Sequence, residues 1–182
     1  MNFSIYDNIS LHNKYVVIWS ELENSSHIVL YLCVLFILGE NMEIFFEIAY
    51  KEALKAYKRN EIPVGAVIVK NGKIIAKSSN NRQKNNDILG HAEINCIKKA
   101  AKKQKDWRLD DYELYVTLEP CNMCNAIIEE TRISKVYFLI KQENLSKKTS
   151  KTPKIQTNDC NKLKEEYILL LKSFFNKLRN KL

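Results

Sequence analysis

His91-Ala92-Glu93 and, downstream, Pro120-Cys121-Asn122-Met123-Cys124 are the residues of this chain best suited to chemistry. An imidazole and two thiolates are donors of the kind that grip zinc. Three protein ligands leave one tetrahedral position open, and an open position separates a catalytic zinc from a structural one. Water taken up there has its pKa lowered to about 7. Glu93 stands two residues after His91, and residues two apart on a helix do not share a face. Glu93 is therefore expected beside the water, carrying protons, and not on the metal. His91, Cys121 and Cys124 can hold the ion, and Glu93 is free to carry protons as a catalytic acid/base.

A C-x-x-C pair has other uses. A redox pair would want a thioredoxin-like setting. A structural zinc site would want a fourth Cys or His at motif spacing, and none is near. Cys96 lies five residues past His91 and so points roughly 140° away on a helix.

The elements that must hold these residues can be read from periodicity. Residues 43–60 predict an amphipathic helix with Phe46, Ala49, Ala53, Ala56 and Tyr57 on one face and Lys51, Glu52, Lys55 and Lys58 on the others. Asn60 ends it and Pro63 forbids its continuation. Strands are expected over Val64–Lys70 and Lys73–Ser78, joined by Asn71-Gly72, a pair suited to the positive φ values of a type I′ turn. Gly65 breaks the first strand as a bulge or as a close approach of backbone to a ligand. Asn80-Asn81-Arg82 opens a polar loop that runs to Gly90. An Asn there serves as a turn former or reads a purine edge. Helices are expected over His91–Lys103 and Cys121–Arg132, and strands over Tyr112–Leu118 and Lys135–Ile140. Residues 141–158 read as a loop or flap. Asp159–Leu182 reads as a last helix with the stripe Leu163, Tyr167, Leu170, Leu171, Phe174 and Leu178. Alternating helices and strands predict an α/β sheet with helices on both faces.

Charge and cysteine usage narrow the setting. Residues 42–182 hold 28 basic and 17 acidic residues, and 141–182 hold 11 and 4. Such a surplus suits a polyanion such as RNA, although a lysine-rich composition also produces it. Five cysteines form no paired framework and point to a reducing, cytoplasmic compartment. Cys33, Cys96 and Cys160 are expected to be buried hydrophobes. The apolar run 28–38 spans 11 residues, too short for the roughly 20 of a membrane helix. It has no basic flank or small-residue cleavage site of a signal peptide. Residues 1–41 carry one basic and four acidic residues and look foreign to the rest. They are expected to be an extension outside a functional domain over 42–182, with Met42 as a possible start.

On these motifs, residues 42–182 resemble the cytidine/deoxycytidylate deaminase superfamily, and within it the bacterial tRNA-specific adenosine deaminases. The matching stretches are Glu61 to Val67, Asn81-Arg82, His91 to Ile94, Leu114 to Cys124, and the tail Ser173-Phe174-Phe175 with Arg179. The resemblance implies a three-layer α-β-α fold with a central five-stranded mixed sheet. It also implies a homodimer, one zinc per subunit, and conversion of adenosine to inosine at the wobble position of a tRNA anticodon stem-loop. It gives His91, Cys121 and Cys124 the zinc and Glu93 the catalytic acid/base role, the roles that this signature has in zinc-dependent nucleobase deaminases. It places Asn81 against the flipped base and Phe175 against the anticodon loop. The chain departs from the pattern at Gly90, where the family carries Ala. It departs again over 139–152, where Leu139-Ile140-Lys141-Gln142-Glu143-Asn144-Leu145 replaces a Gly- and Asp-containing loop at the substrate rim.

Two other functions share the zinc residues. One is deamination of a free base or nucleotide, of guanine or cytosine type. The other is a non-catalytic, zinc-stabilised RNA-binding module, which Glu93 and the missing fourth ligand argue against. A protein beginning at Met42 is expected to retain zinc and activity. Metal analysis and turnover of that truncation check it, and loss of the soluble fold would refute it.

Overall fold

The computed structural model describes residues 26–142 and 150–180, with side chains described from Met42 onward. The chain divides into two compact units, residues 1–40 and 41–182. Helix α1 runs Ser26–Lys58. It starts well before the expected residue 43, because a continuous apolar run has no period from which a helix can be read. The expectations for residues 1–41 and for Cys33 fall outside the described side chains.

Within the second unit, Phe46, Ala49, Ala53 and Ala56 of α1 are fully buried and Tyr57 is half-buried. Glu52 departs from its expected outward place: it is buried, with Lys55 Nζ 2.7 Å from its carboxylate. Asn60 takes φ 57° and stops the helix.

Five strands follow: β1 Gly65–Lys70, β2 Lys73–Ser79, β3 Glu113–Leu118, β4 Lys135–Ile140 and β5 Lys154–Gln156. They form one mixed sheet in the order β2-β1-β3-β4-β5. β1 pairs antiparallel with β2 and β3, while β3–β4 and β4–β5 are parallel. Asn71 and Gly72 have φ 50° and 71°, as the two central positions of the expected hairpin turn require. Strand β5 corrects the reading of 141–158 as a loop. It is three residues long, too short to show a period, and only its pairing with β4 defines it. Residues 143–149 lie outside the described residues.

The remaining helices are α2 Arg82–Asn85, α3 Ala92–Gln104, α4 Asn122–Glu130 and α5 Asn161–Arg179. One-turn α2 lies inside the expected polar loop. The period-2 alternation of β1 divides the core in two. Ala66 and Ile68 face a cluster with Ile94, Ile97 and Ala100 of α3 and Ile128 of α4. Val67 and Val69 face Phe45, Phe46 and Ala49 of α1, with Tyr115, Leu139 and Leu163. The sheet is thus covered on both faces, giving the three layers expected. The stripe on α5 is narrower than predicted: Tyr167 and Phe174 are buried, but Leu178 is 41% exposed. No described helix is long and apolar enough to cross a membrane.

Gly65 is not a bulge, and the backbone that it lets approach is that of α1. The register shift of β1 falls between Ile68 and Val69. A Cβ at position 65 would overlap the Ala49 carbonyl oxygen and lie 2.6 Å from Ala53 N. The glycine lets α1 press against the strand, and the crowding atoms are backbone that cannot swing away. Gly65→Ala is expected to destabilise the fold by about 3 kcal/mol or more, the upper end for overpacking. Denaturant unfolding of the variant measures this, and a change within about 0.5 kcal/mol would contradict it.

Candidate metal centre and active site

His91 and Cys121 are the residues just before α3 and α4. Both have extended backbones, with φ/ψ of −78°/146° and −69°/170°. Each carbonyl accepts the first bond of its helix, from Asn95 N and Asn125 N, both at 2.9 Å. His91 is therefore an N-cap, not a helical residue as first read, and the same holds for Cys121. N-cap placement points both side chains off the helix starts, towards each other. The positive ends of two helix dipoles meet there and favour thiolate.

The three donors converge as the spacing predicts. His91 Nδ1 lies 3.8 Å from Cys121 Sγ and 3.4 Å from Cys124 Sγ, and the two sulfurs are 3.6 Å apart. With zinc bonds of about 2.3 Å to sulfur and about 2.0 Å to nitrogen, a tetrahedron needs S···S of ~3.8 Å and S···N of ~3.5 Å. The donor set therefore fits zinc in type, number and separation. No fourth His, Cys, Asp or Glu joins the cluster among the described residues.

Electrostatics support the same use. A hydrogen bond from Cys124 holds Cys121 as thiolate, and its pKa falls to about 3. The same shared proton, with burial, pushes Cys124 up. His91 is raised, first by its hydrogen bond to Cys121. Two adjacent thiolates need a cation before both can form, which is what a divalent ion supplies. Glu93, in the first turn of α3, is 4% exposed. Burial raises its pKa, and it hydrogen-bonds Cys124. A carboxyl raised in this way can both take up and return a proton.

Asn81 stands apart from the metal ligands but is tied to them. It precedes α2, and its Oδ1 accepts from Asn95 Nδ2 at 2.7 Å, one turn along the helix that His91 caps. Phe175 lies on α5, in the opposite helical layer. It is 44% exposed and packs edge-on against Phe174 at 5.4 Å. Among the described residues, no contact joins it to the four central side chains.

Sequence reasoning missed the residues that anchor the loops. Glu61 is fully buried, and its carboxylate accepts from Gln83 N at 3.1 Å and Lys84 N at 2.7 Å. It holds the loop that carries Asn81. Glu119, just before the Pro-Cys pair, binds Lys154 at 3.0 Å and accepts from Gln142 N at 3.3 Å. It ties β5 and the start of the altered rim loop to the metal-binding turn. Neither carboxylate shows a period or spacing that could have revealed it, since both partners are distant backbone or edge-strand groups. Gly90 also gains a reason: a Cβ there would lie 2.7 Å from Arg82 Cα. This loop folds too tightly for the alanine of the family pattern.

The family model for the cytidine and deoxycytidylate deaminase zinc-binding region matches residues 40–140. A tRNA-specific adenosine deaminase of Rickettsia bellii is 39% identical over 142 residues, covering 72% of this chain and 98% of the relative. A structure from work on A-to-I editing by tRNA:A34 deaminases at the wobble position of transfer RNA superposes with TM-score 0.59. It has 36% identity and covers 62% of this chain and 96% of the other. A guanine deaminase structure from Bacillus subtilis gives TM-score 0.53 and 29% identity, covering 70% and 92%.

Cys124→Ser is expected to cut zinc content from about one ion per chain to a small fraction, because a hydroxyl does not replace a thiolate in this donor set. Metal analysis of the purified variant checks it, and full zinc occupancy would contradict the ligand assignment.

Proposed function

This chain belongs to the cytidine and deoxycytidylate deaminase family, in its tRNA-specific adenosine deaminase branch, and on that premise we propose that it converts adenosine to inosine at the wobble position of a tRNA anticodon. The observation that carries the proposal is a three-donor metal cluster with one buried carboxyl, Glu93, beside it. His91, Cys121 and Cys124 would hold the zinc. When bound, the ion acidifies water in its open position so that a hydroxide nucleophile is available near neutral pH.

The chain's own residues manage protons and position. Glu93 takes a proton from the attacking water and delivers it to N1 of the adenine ring as oxygen adds to C6. It then takes the second proton of that water from the new hydroxyl at C6 and passes it to the departing amine, so that water plus adenosine become inosine plus ammonia. Its burial supports this cycle, because a group that is neither permanently charged nor permanently neutral can move a proton both ways. Asn81 contacts the flipped base from its anchored loop.

An anticodon loop suits this site because its bases leave the stack at low cost. Phe175 offers an exposed ring for a loop base, and Lys172, Lys177 and Arg179 on the same helix meet the phosphates. The working unit is a homodimer with one zinc per subunit.

The deciding assay compares inosine formation on a synthetic anticodon stem-loop with ammonia release from free guanine and cytosine. Inosine on the stem-loop alone is the expected result, and release from a free base alone would move the protein to the rival class. Glu93→Gln is expected to keep zinc and lose about 100-fold or more in rate. Deamination by that variant at near the parent rate would remove Glu93 from its role.

A further inference from the structure

Asn95 has no part in the chemistry above, yet it makes two hydrogen bonds that bear on substrate reading. Its Nδ2 donates to Ser79 O at 3.3 Å and to Asn81 Oδ1 at 2.7 Å. A backbone carbonyl can only accept. The Ser79 contact therefore requires that the NH2 end of Asn95 face the loop. That NH2 in turn requires an acceptor on Asn81, and within an asparagine amide only Oδ1 is one. The orientation of one amide is thus passed to the next through a group whose polarity is beyond question.

The rest of Asn81 is held just as firmly. Its N–H donates to Gly90 O at 2.9 Å, and its carbonyl accepts from Asn85 N at 3.2 Å. Glu61 anchors the following turn through Gln83 and Lys84. Asn81 precedes a helix but makes no side-chain capping bond there, although asparagine is a favoured cap. Its oxygen is committed to Asn95 instead.

We propose that Asn95 is a positioning residue that fixes the amide polarity of Asn81, so that Asn81 meets the base with N–H donors and selects a purine ring-nitrogen acceptor, N7 or N3. This rests on the deaminase reading, in which Asn81 touches the flipped base. The order of action is Ser79 carbonyl, Asn95 amide, Asn81 amide, base. An apolar residue at position 95 would leave Asn81 able to turn either end to the substrate. Half of the resulting contacts would then set an oxygen against a ring nitrogen, where two acceptors repel.

The test uses zinc-loaded full chain, its Asn95→Leu and Asn95→Asp variants, and anticodon stem-loops carrying adenosine, 7-deazaadenosine or 3-deazaadenosine at the target. Leu removes both donors at similar volume. Asp offers only acceptors, so Asn81 must turn its NH2 inward and present oxygen to the base. The parent protein is expected to lose about tenfold in kcat/KM on one deaza substrate, the worth of one hydrogen bond. Asn95→Asp is expected to lose about tenfold on adenosine and to show no further loss on that deaza substrate, with zinc content unchanged. An undiminished deaza penalty in both variants would overturn the proposal.

A second readout needs no turnover. In 15N-labelled parent protein the Asn95 side-chain amide protons should exchange slowly, and Asn95→Leu should shift the Asn81 side-chain amide resonance. Fast exchange, or an unmoved Asn81 signal, would overturn the proposal by itself. If the parent protein leaves every stem-loop untouched, the tRNA reading falls, and the amide resonances still decide the role of Asn95.

Discussion

Two thiols, one imidazole and one buried carboxyl meet where α3 and α4 begin, and the two sulfurs cannot both be thiolates there without a cation. The proton shared between Cys121 and Cys124 expresses that shortage. The helix dipoles add positive potential, each equivalent to roughly half a charge, but that cannot balance two thiolates. A divalent ion can. The fold brings two helix starts together, and the three donors gathered there would leave a tetrahedral ion one corner for solvent.

Holding two helix starts within bonding range of one ion needs a rigid base. The sheet provides it by being packed on both faces, with separate apolar clusters above and below β1 and β3. Gly65 sets how closely α1 may approach, so the layer opposite the metal is fixed against the same strand that backs α3. Above the sheet, order is maintained by buried carboxylates. Glu61 clamps the Asn81 loop, and Glu119 joins the Pro120-Cys121 turn to β5 and Gln142. Each anchors a loop by charge-assisted bonds, which are roughly twice as strong as neutral ones. The loop of Asn81 and the turn of Cys121 are thereby held by different supports that share one base.

The altered rim and the basic tail bear on substrate size. A free base needs only a small pocket, whereas an anticodon loop must also be gripped beyond the target nucleotide. The basic surplus over 141–182 and the exposed ring of Phe175 suit the larger partner. Gly90 lets the loop near Asn81 turn tightly against Arg82.

Sequence alone was enough to pick out the three side chains that the fold brings together, because zinc chemistry restricts donor type and spacing so strongly that His91, Cys121 and Cys124 stand out in 182 residues. It was also enough to find the amphipathic helices, the Asn71-Gly72 turn and the strands of six or seven residues, each long enough to show a period or a turn signal. Tertiary structure decided the rest. Strand β5 exists only through its pairing with β4, and Glu52 is buried although its neighbours on the helix surface are charged. Gly65 was ambiguous until α1 was seen against it. The links from Glu61 to Gln83 and from Asn95 to Asn81 join residues 22 and 14 apart, so neither leaves a local trace. Local pattern encodes which side chains can do chemistry, since that depends on atoms. Long-range contact alone encodes how they are aimed, since that depends on neighbours the chain meets only after it folds.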